Sequence, residues 1–308
     1  MTERGEAEQL PAGTLYVVAT PIGNLRDVSL RALDVLRGVD LIAAEDTRHT
    51  RRLLARYEIE ARLISYHARN AAARGPDLRA RLLGGARVAL VTDAGTPGVS
   101  DPGAELVAAW GAEGGRVVPI PGASAALAAV SATGLAGPRW SFEGFLPRSG
   151  RERRDRLARL AGDERGSVLF EAPNRLAATL ADLVAVCGDR PAAVCRELTK
   201  LHEEIVRGGL VALAAVAASG AIVERGELVI VVGWRPERVG HGSHEGQVDA
   251  LVAARAEVER RVAAGEARGT AAKAVSAETG IPRRQLYGST AAALSPACDS
   301  GVDLKGPE

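Results

Sequence analysis

Short apolar runs alternate with amphipathic stretches through the first half of the chain. Each apolar run leads into a turn rich in glycine, proline or polar residues, which is typical of a buried strand. The stretches between them have apolar residues at helical spacing. The predicted strands are residues 15–19, 39–44, 62–66, 87–91 and 116–120, and the predicted helices are residues 29–37, 50–57, 70–83, 104–110 and 124–132. Such alternation predicts an α/β fold whose mainly parallel N-terminal sheet is covered on both faces.

A glycine- and proline-rich break at residues 134–138 precedes a second half of different pattern. Its predicted strands are residues 142–146, 167–170, 192–198, 203–208 and 228–233, with helices at residues 148–160, 176–186 and 210–218. The strands at 192–198 and 203–208 are close enough in sequence to pair antiparallel, so we expect a smaller mixed C-terminal sheet. The predicted domains are therefore residues 13–135 and 139–235.

A third region follows a glycine- and histidine-rich linker at residues 240–246. Residues 248–264, 270–279 and 282–287 are predicted helices, and the turn at Gly280 gives the last two the pattern of a helix-turn-helix. We place this helical tail at residues 246–290, and we expect residues 1–12 and 291–308 to be flexible.

Composition limits the class of protein without identifying it. Among the 308 residues, 46% are hydrophobic and 25% are charged, and no apolar run is long enough to cross a bilayer. The N-terminus is polar, and Cys187, Cys195 and Cys298 have no metal-binding or redox spacing. These features predict a cytoplasmic protein with free thiols, no metal and no membrane partner.

Three loops that follow predicted strands are rich in glycine and proline, at residues 19–24, 92–103 and 120–124. Loops at the carboxyl ends of parallel strands are where α/β proteins bind ligands. None has the glycine pattern that cradles a diphosphate, although Glu45 and Asp46 stand where a ribose-binding acid could lie. A ligand without phosphates fits better, and S-adenosylmethionine is such a ligand. We expect Ser100 or Asp101 to cap the helix that follows the second loop.

Nine sequence runs, distributed over residues 13–235, resemble those of the tetrapyrrole methylase superfamily. They include TPIGN at 20–24, AEDTR at 44–48, TDAGTPGVSDPG at 92–103, PIPGASA at 119–125, GFLPR at 144–148, FEAP at 170–173 and GEL at 226–228. Within that superfamily, the chain resembles the bacterial methyltransferases that modify the 2′-hydroxyl of a cytidine in small-subunit ribosomal RNA. The resemblance implies two α/β domains with S-adenosylmethionine in the cleft between them, a homodimer, and an appended helix-turn-helix.

By position, the resemblance also implies which residues line the cofactor. They are Pro21, Gly23, Asp93, Gly95, Thr96, Pro97, Ser100, Asp101, Gly122, Ala123, Ser124, Ala172 and Pro173. The chain departs from the family pattern at Asn174, where histidine is common, and at Ala68 and Arg69, where acidic residues are common.

Transfer of a methyl group to a ribose hydroxyl requires that the hydroxyl lose its proton, so a base or a stabilising cation is expected. The candidates are Glu45, Asp46, His67 and Lys200. Each has a structural alternative: the two acids could cap a helix or pair with Arg48, His67 could be an ordinary loop residue, and Lys200 could be a solvated charge.

Three groups of arginines are candidate RNA contacts, because phosphate contacts supply most non-specific affinity for nucleic acids. They are Arg48, Arg51, Arg52, Arg148, Arg151, Arg153, Arg154, Arg283 and Arg284. The alternative is a set of solvated helix faces. Aromatic residues make up 3% of the chain, which favours recognition of RNA shape and backbone over base stacking.

The resulting hypothesis is a methyltransferase that uses S-adenosylmethionine and acts on a cytidine ribose of 16S ribosomal RNA. We expect its substrate to be the RNA within the assembled small subunit. Three alternatives stay open at this point: methylation of a small tetrapyrrole, a non-catalytic RNA-binding or ribosome-assembly protein, and a nucleotide-dependent oxidoreductase. The arginine-rich helix predicted at residues 148–160 speaks against the first, the cofactor loops against the second, and the missing glycine pattern against the third.

Overall fold

The computed structural model describes residues 10–223, 225–235 and 244–287. The chain divides into two compact units, Met1–Arg235 and Pro236–Glu308, and the first unit contains both predicted sheets. The second predicted flexible end, 291–308, lies outside the described residues, as do Cys298 and residues 1–9. Leu10, within the first predicted flexible end, packs against the core of the first sheet.

The first sheet has five strands in the order β3-β2-β4-β1-β5, and every adjacent pair is parallel. Its strands are β1 (Thr14–Val18), β2 (Leu41–Ala44), β3 (Leu63–Ser65), β4 (Val88–Val91) and β5 (Arg116–Ile120). The helices that alternate with them are α1 (Leu30–Gly38), α2 (Thr47–Arg56), α3 (Ala71–Leu83), α4 (Ala104–Ala112) and α5 (Ala125–Thr133). Two separate apolar clusters include residues from opposite faces of the same strands, which confirms the predicted parallel sheet covered on both sides.

Side-chain caps explain where several of these helices begin. Ser29 caps α1 by accepting a hydrogen bond from the Ala32 amide, and Ser124 caps α5 in the same way from Leu127. The predicted cap of α4 by Ser100 or Asp101 is wrong, because Gly103 occupies the cap position without a side-chain bond. A Cβ atom at Gly103 would lie 2.5 Å from Leu90 Cδ2, and its φ is +126°, so the tight packing of this turn on β4 requires glycine.

The second sheet has the order β6-β7-β10-β8-β9. Its elements are β6 (Trp140–Phe145), α6 (Gly150–Gly162), β7 (Gly166–Glu171), α7 (Leu176–Cys187), β8 (Pro191–Arg196), β9 (Glu204–Gly209), α8 (Leu210–Ala218) and β10 (Leu228–Val232). Strands β6 and β7 are parallel and the other pairs are antiparallel, which confirms the predicted mixed sheet. The register between β6 and β7 shifts between Phe142 and Gly144.

The second unit contains three helices, α9 (His244–Ala263), α10 (Arg268–Thr279) and α11 (Arg283–Leu286). Helix α10 ends at Gly280 in the left-handed conformation, and Val258, Ala271 and Leu286 belong to the small core that joins the helices. The last three residues of the predicted tail, 288–290, lie outside the described residues. Within the described residues, no helix combines the length and apolarity that crossing a membrane requires.

Candidate active site

A cavity of about 440 Å³ lies between the two sheets of the first unit. We call it the cofactor cleft, because residues of the three loops that are predicted to bind a ligand line it. Its first wall comes from the ends of β1, β2, β4 and β5, and its second wall comes from β6, β7 and β10. The lining residues are Ile22, Glu45, Asp93, Ala94, Gly95, Thr96, Val99, Ser100, Asp101, Ser124, Ala125, Phe145, Phe170, Glu171, Ala172, Pro173, Gly226, Glu227, Leu228 and Val229.

Hydrogen bonds from backbone amides and threonine hydroxyls join the three predicted loops at the first wall. Thr20 and Gly95 exchange two bonds of 2.8 and 3.0 Å, and the Thr20 hydroxyl donates to the Thr92 carbonyl at 3.1 Å. The Thr96 hydroxyl donates to the Ala123 carbonyl at 3.4 Å, which connects the second loop to the third. The loops therefore form one surface, as expected where parallel strands end at a common edge.

Three carboxyl groups make the first wall acidic. Asp93 Oδ1 accepts a hydrogen bond from the Asp46 amide at 3.0 Å, and the Asp93 amide donates to Glu45 Oε2 at 3.4 Å. Burial, with the nearby Glu45 and Asp93 carboxylates, raises the pKa of Asp101 to about 7. Burial also raises the pKa of Glu45, and the Asp93 charge adds to that effect. A cationic ligand would relieve the repulsion between these groups, so the first wall is suited to positive charge.

The second wall is mainly aromatic and apolar, and its two carboxylates, Glu171 and Glu227, are paired with Arg175 and Lys200. The rings of Phe142 and Phe170 are 4.9 Å apart between centroids, and those of Phe145 and Phe170 are 5.7 Å apart, both in edge-to-face contact. The Glu171 carboxylate is buried, and it is satisfied by the Thr179 hydroxyl at 2.6 Å and by Arg175 Nε at 3.1 Å. This pairing holds the end of β7 in place beside the cavity.

Eight of the residues expected to line the cofactor do line the cofactor cleft: Asp93, Gly95, Thr96, Ser100, Asp101, Ser124, Ala172 and Pro173. Five others, Pro21, Gly23, Pro97, Gly122 and Ala123, are not part of its lining. At least two of them support the loops: a Cβ atom at Gly122 would lie 3.0 Å from Ala19 Cβ, and Ala123 accepts the bond from Thr96.

Sequence reasoning missed the lining residues of the second wall other than Ala172 and Pro173. Phe145, Phe170 and Glu171 belong to runs that the family resemblance singled out, and so does the segment 226–228. Nothing in those runs indicated that their residues face a cavity, because the cavity exists only once the second sheet lies opposite the first.

The four catalytic candidates occupy different environments. Glu45 alone among them lines the cofactor cleft. Asp46 caps α2 by accepting from the Arg48 amide at 2.8 Å and pairs with the Arg48 side chain, whose hydrogen bonds hold the pKa of Asp46 below its usual range. The structural alternative is therefore observed for Asp46.

His67 and Lys200 do not line the cofactor cleft either. The His67 backbone amide donates to Asn70 Oδ1 at 2.8 Å, in the turn that precedes α3. Lys200 Nζ contacts Glu197 at 2.8 Å and Glu227 at 3.2 Å. Burial opposes its charge, but these carboxylates raise the pKa of Lys200 above its ordinary value. Lys200 therefore keeps its proton at neutral pH, which suits a stabilising cation better than a base. Its part in the reaction stays a prediction.

The candidate RNA-binding arginines also separate into groups. Arg51, Arg52, Arg148, Arg154 and Arg284 are exposed and have no ion-pair partner within the described part of the chain. Arg48, Arg151 and Arg283 are exposed but bonded, to Asp46, Asp155 and the Gly269 carbonyl respectively.

Arg153 is different, and its prediction as an RNA contact is wrong. Its side chain is 11% exposed, and its guanidinium donates to Asp182 at 2.7 Å, to the Pro147 carbonyl at 2.9 Å and to the Thr179 hydroxyl at 3.1 Å. These bonds join α6, α7 and the end of β6, so Arg153 stabilises the second half of the unit.

Comparison with known proteins agrees with this architecture. The sequence profile of the Tetrapyrrole (Corrin/Porphyrin) Methylases matches residues 14–214. The chain is 48% identical over 277 residues to Ribosomal RNA small subunit methyltransferase I of Synechocystis sp., covering 89% of this chain and 96% of that protein. It is 45% identical over 282 residues to the protein of the same name from Micromonospora olivasterospora, covering 92% of this chain and 88% of that protein.

A solved structure shows the same fold at low sequence identity. Uroporphyrin-III C-methyltransferase from Thermus thermophilus, complexed with S-adenosylhomocysteine, superimposes with a TM-score of 0.51 at 18% identity, over 71% of this chain and 97% of that chain. The family profile covers well over half of the chain, and the two relatives cover most of it. The chain therefore belongs to the tetrapyrrole methylase family.

Proposed function

We propose that this chain is a methyltransferase that uses S-adenosylmethionine to methylate small-subunit ribosomal RNA, on the ribose 2′-hydroxyl of a cytidine. The observation that carries the proposal is the identity of 48% and 45%, over about nine-tenths of the chain, to two proteins named for small-subunit ribosomal RNA methylation. The cofactor cleft adds a site of suitable chemistry. The same proposal includes action on the assembled subunit, in the cytoplasm, by a homodimer.

The cofactor cleft fits the methyl donor on the charges and surfaces that it presents. S-adenosylmethionine carries a positive sulfonium and an ammonium group, and Glu45, Asp93 and Asp101 place three carboxyl groups on one wall. Its adenine ring requires an apolar surface, which Phe170, Leu228 and Val229 provide on the other wall. When bound, it supplies an activated methyl group.

The chain's own contribution to the reaction is to orient the two reactants and to take up a proton. Holding the ribose oxygen in line with the methyl group supplies a large part of the rate. For the proton, we assign Glu45, because it alone among the four candidates lines the cofactor cleft. Burial raises its pKa toward the pH at which a general base works best.

The direct test is to incubate the protein with tritiated S-adenosylmethionine and small ribosomal subunits from cells that lack this activity. We expect label in the RNA, recovered as a 2′-O-methylated cytidine after digestion to nucleosides. Subunits that already carry the modification are the matched control and should accept no label. Transfer to a porphyrinoid without transfer to RNA would contradict the proposal.

A further inference from the structure

A second hollow of about 510 Å³ adjoins the cofactor cleft, and we call it the side hollow. It is lined by Phe145, Arg148, Ala172, Asn174 and Arg175. Phe145 and Ala172 line the cofactor cleft as well, so the two cavities share a wall. A molecule in the side hollow would therefore lie beside whatever occupies the cofactor cleft.

Three chemically different groups in the side hollow are free to bind a ligand. Phe145 is 51% exposed, which is unusual for a phenylalanine, and its ring forms part of the wall. Arg148 and Asn174 are exposed, and neither side chain has a hydrogen bond or ion pair among the described residues. The hollow thus presents one aromatic ring, one cation and one amide.

Arg175, in contrast, holds the hollow together. Its Nη2 atom donates to the Leu146 carbonyl at 2.7 Å, and its Nε atom contacts Glu171 at 3.1 Å. These two bonds tie the end of β6 to the end of β7. Because the Arg175 guanidinium is already paired with a buried carboxylate, it contributes less free charge to a ligand than Arg148 does.

Hydrogen bonds hold the backbone that carries the Phe145 ring. The Phe145 carbonyl accepts a hydrogen bond from Arg156 Nη1 at 3.1 Å, and the same arginine contacts the Glu143 carboxylate at 3.1 Å. The register shift between Phe142 and Gly144 changes which way the last residues of β6 point, as strand irregularities do beside functional sites. Edge contact with Phe170 supports the ring further.

We infer that the side hollow binds the nucleotide that is to be methylated, unstacked from its RNA. Its base stacks on Phe145, a phosphate pairs with Arg148, and the amide of Asn174 hydrogen-bonds the edge of the base. This inference rests on the proposed function and names the part of the substrate that the site receives. RNA is commonly recognised in this way, by stacking of splayed bases on aromatic rings and by hydrogen bonds to their edges.

The composition of the side hollow favours a nucleotide over a tetrapyrrole. A tetrapyrrole that carries several carboxylates needs several cations, whereas Arg148 is the one arginine of this hollow without a partner among the described residues. One ring, one cation and one amide match one base and one phosphate. The ribose, which joins base to phosphate, would then lie at the shared wall formed by Phe145 and Ala172, next to the methyl donor.

The test measures methyl transfer to unmodified small subunits by variants of each group. Arg148→Ala should raise KM for the subunits about tenfold with little change in kcat, and Arg148→Lys should recover most of the loss. The slope of log binding constant against log salt should fall by about 0.7 to 0.9, the value for one lost phosphate contact. Arg159→Ala is the matched control, because Arg159 is exposed on α6, the helix that follows Arg148, and lines neither cavity.

Phe145→Leu keeps the apolar surface but removes the stacking ring, so kcat/KM should fall about tenfold or more, in keeping with the effect of losing one stacked base. Phe145→Tyr keeps the ring and should stay close to the parent protein. Asn174→Ala should lower kcat/KM about fivefold, as expected for one lost hydrogen bond.

Calorimetry with S-adenosylhomocysteine separates the side hollow from the cofactor cleft. Arg148→Ala and Asn174→Ala should bind it as tightly as the parent protein, because neither residue lines the cofactor cleft. If the parent protein methylates the subunits but Arg148→Ala, Asn174→Ala and Phe145→Leu all keep kcat/KM within twofold, the inference is overturned and the proposed function stands. If the parent protein transfers no methyl group to RNA, both are overturned.

Discussion

The two walls of the cofactor cleft are built on different principles. The first wall is acidic and consists of loops at the ends of a wholly parallel sheet, so its position follows from topology. The second wall is aromatic, with free arginine beside it, and it depends on one irregular strand, β6, in a mixed sheet. On the functions proposed above, the first wall holds the charged groups of the methyl donor. The second wall holds its adenine ring and, through Phe145 and the side hollow, receives the RNA.

The substitution Glu45→Gln tests the role of the first wall most directly. It removes the carboxylate assigned as the proton acceptor and keeps a side chain of the same size. We expect kcat for RNA methylation to fall by about 10²-fold or more, the usual contribution of a general base. Affinity for S-adenosylmethionine, measured by calorimetry, should change less than tenfold because Asp93 and Asp101 remain.

The neighbouring substitution Asp46→Asn is the matched control for that experiment, because Asp46 lies next in sequence but does not line the cofactor cleft. It should leave kcat close to that of the parent protein. A Glu45→Gln variant with kcat within threefold of the parent would show that another group accepts the proton. If Asp101→Asn then abolished transfer, that role would pass to Asp101.

The next largest effect concerns Arg153, which belongs to the framework of the second wall. Arg153→Ala leaves the Asp182 carboxylate and the Thr179 hydroxyl without the donor that Arg153 supplies, and it removes the shorter of two hydrogen bonds to the Pro147 carbonyl. We expect the free energy of unfolding to fall by about 2–3 kcal/mol in a denaturant titration, a typical cost of removing one partner from a buried network.

Arg154→Ala provides the comparison, because Arg154 is adjacent, exposed and unpaired among the described residues. Its free energy of unfolding should stay within about 0.5 kcal/mol of the parent value. The buried role of Arg153 would be contradicted if Arg153→Ala kept full stability while weakening binding to the small subunit.

Arg153 also illustrates what the sequence does not predict. Its helix was predicted correctly, but the residues that bury it, Thr179 and Asp182, are more than twenty positions away. The same holds for Lys200, whose second partner, Glu227, comes from another part of the chain. Local signals do not contain these contacts, whereas the Ser29 and Ser124 caps depend on neighbouring residues and were predictable.

The two walls of the cofactor cleft also differ in how far the sequence predicts them. Glycine-rich loops after apolar strands identified most of the first wall, because parallel strands bring their carboxyl ends together. The exposure of Phe145 follows from a register shift that no periodicity in β6 revealed. The scarcity of aromatic residues predicts recognition of RNA shape and backbone, and it does not reveal the one exposed ring, Phe145, that the inference above assigns to a single base.

The pH dependence of S-adenosylmethionine binding tests whether the first wall holds the cationic ligand. Asp101 has a pKa of about 7, so it is mostly protonated at pH 6 and mostly ionised at pH 8. A cationic ligand favours the ionised form, and the affinity for S-adenosylmethionine should therefore rise roughly tenfold between pH 6 and pH 8. Calorimetry at the two pH values measures this change, and Asp101→Asn should flatten it.

The same carboxyl group makes a prediction for the protein without ligand. Because folding raises its pKa from 3.8 to about 7, the protonated form stabilises the fold at low pH, and that contribution declines as the pH rises from about 4 through 7. Asp101→Asn should therefore unfold at a higher temperature than the parent at pH 8. Equal pH dependence of binding and of stability in variant and parent would exclude Asp101 from the linkage.

The smallest effect distinguishes the two neighbouring acids at the end of β2. Asp46→Ala removes the cap of α2 and the pairing with Arg48, so the melting temperature should drop by about 2 °C, as for the loss of one helix cap. Asp46→Asn keeps an oxygen that accepts from the Arg48 amide and should recover most of that loss. Both variants should methylate RNA at the parent kcat, because the Asp46 side chain serves α2 and Arg48 while Glu45 faces the cofactor cleft. A large fall in kcat for Asp46→Asn, with unchanged melting temperature, would place Asp46 in the reaction and remove the distinction between the two residues.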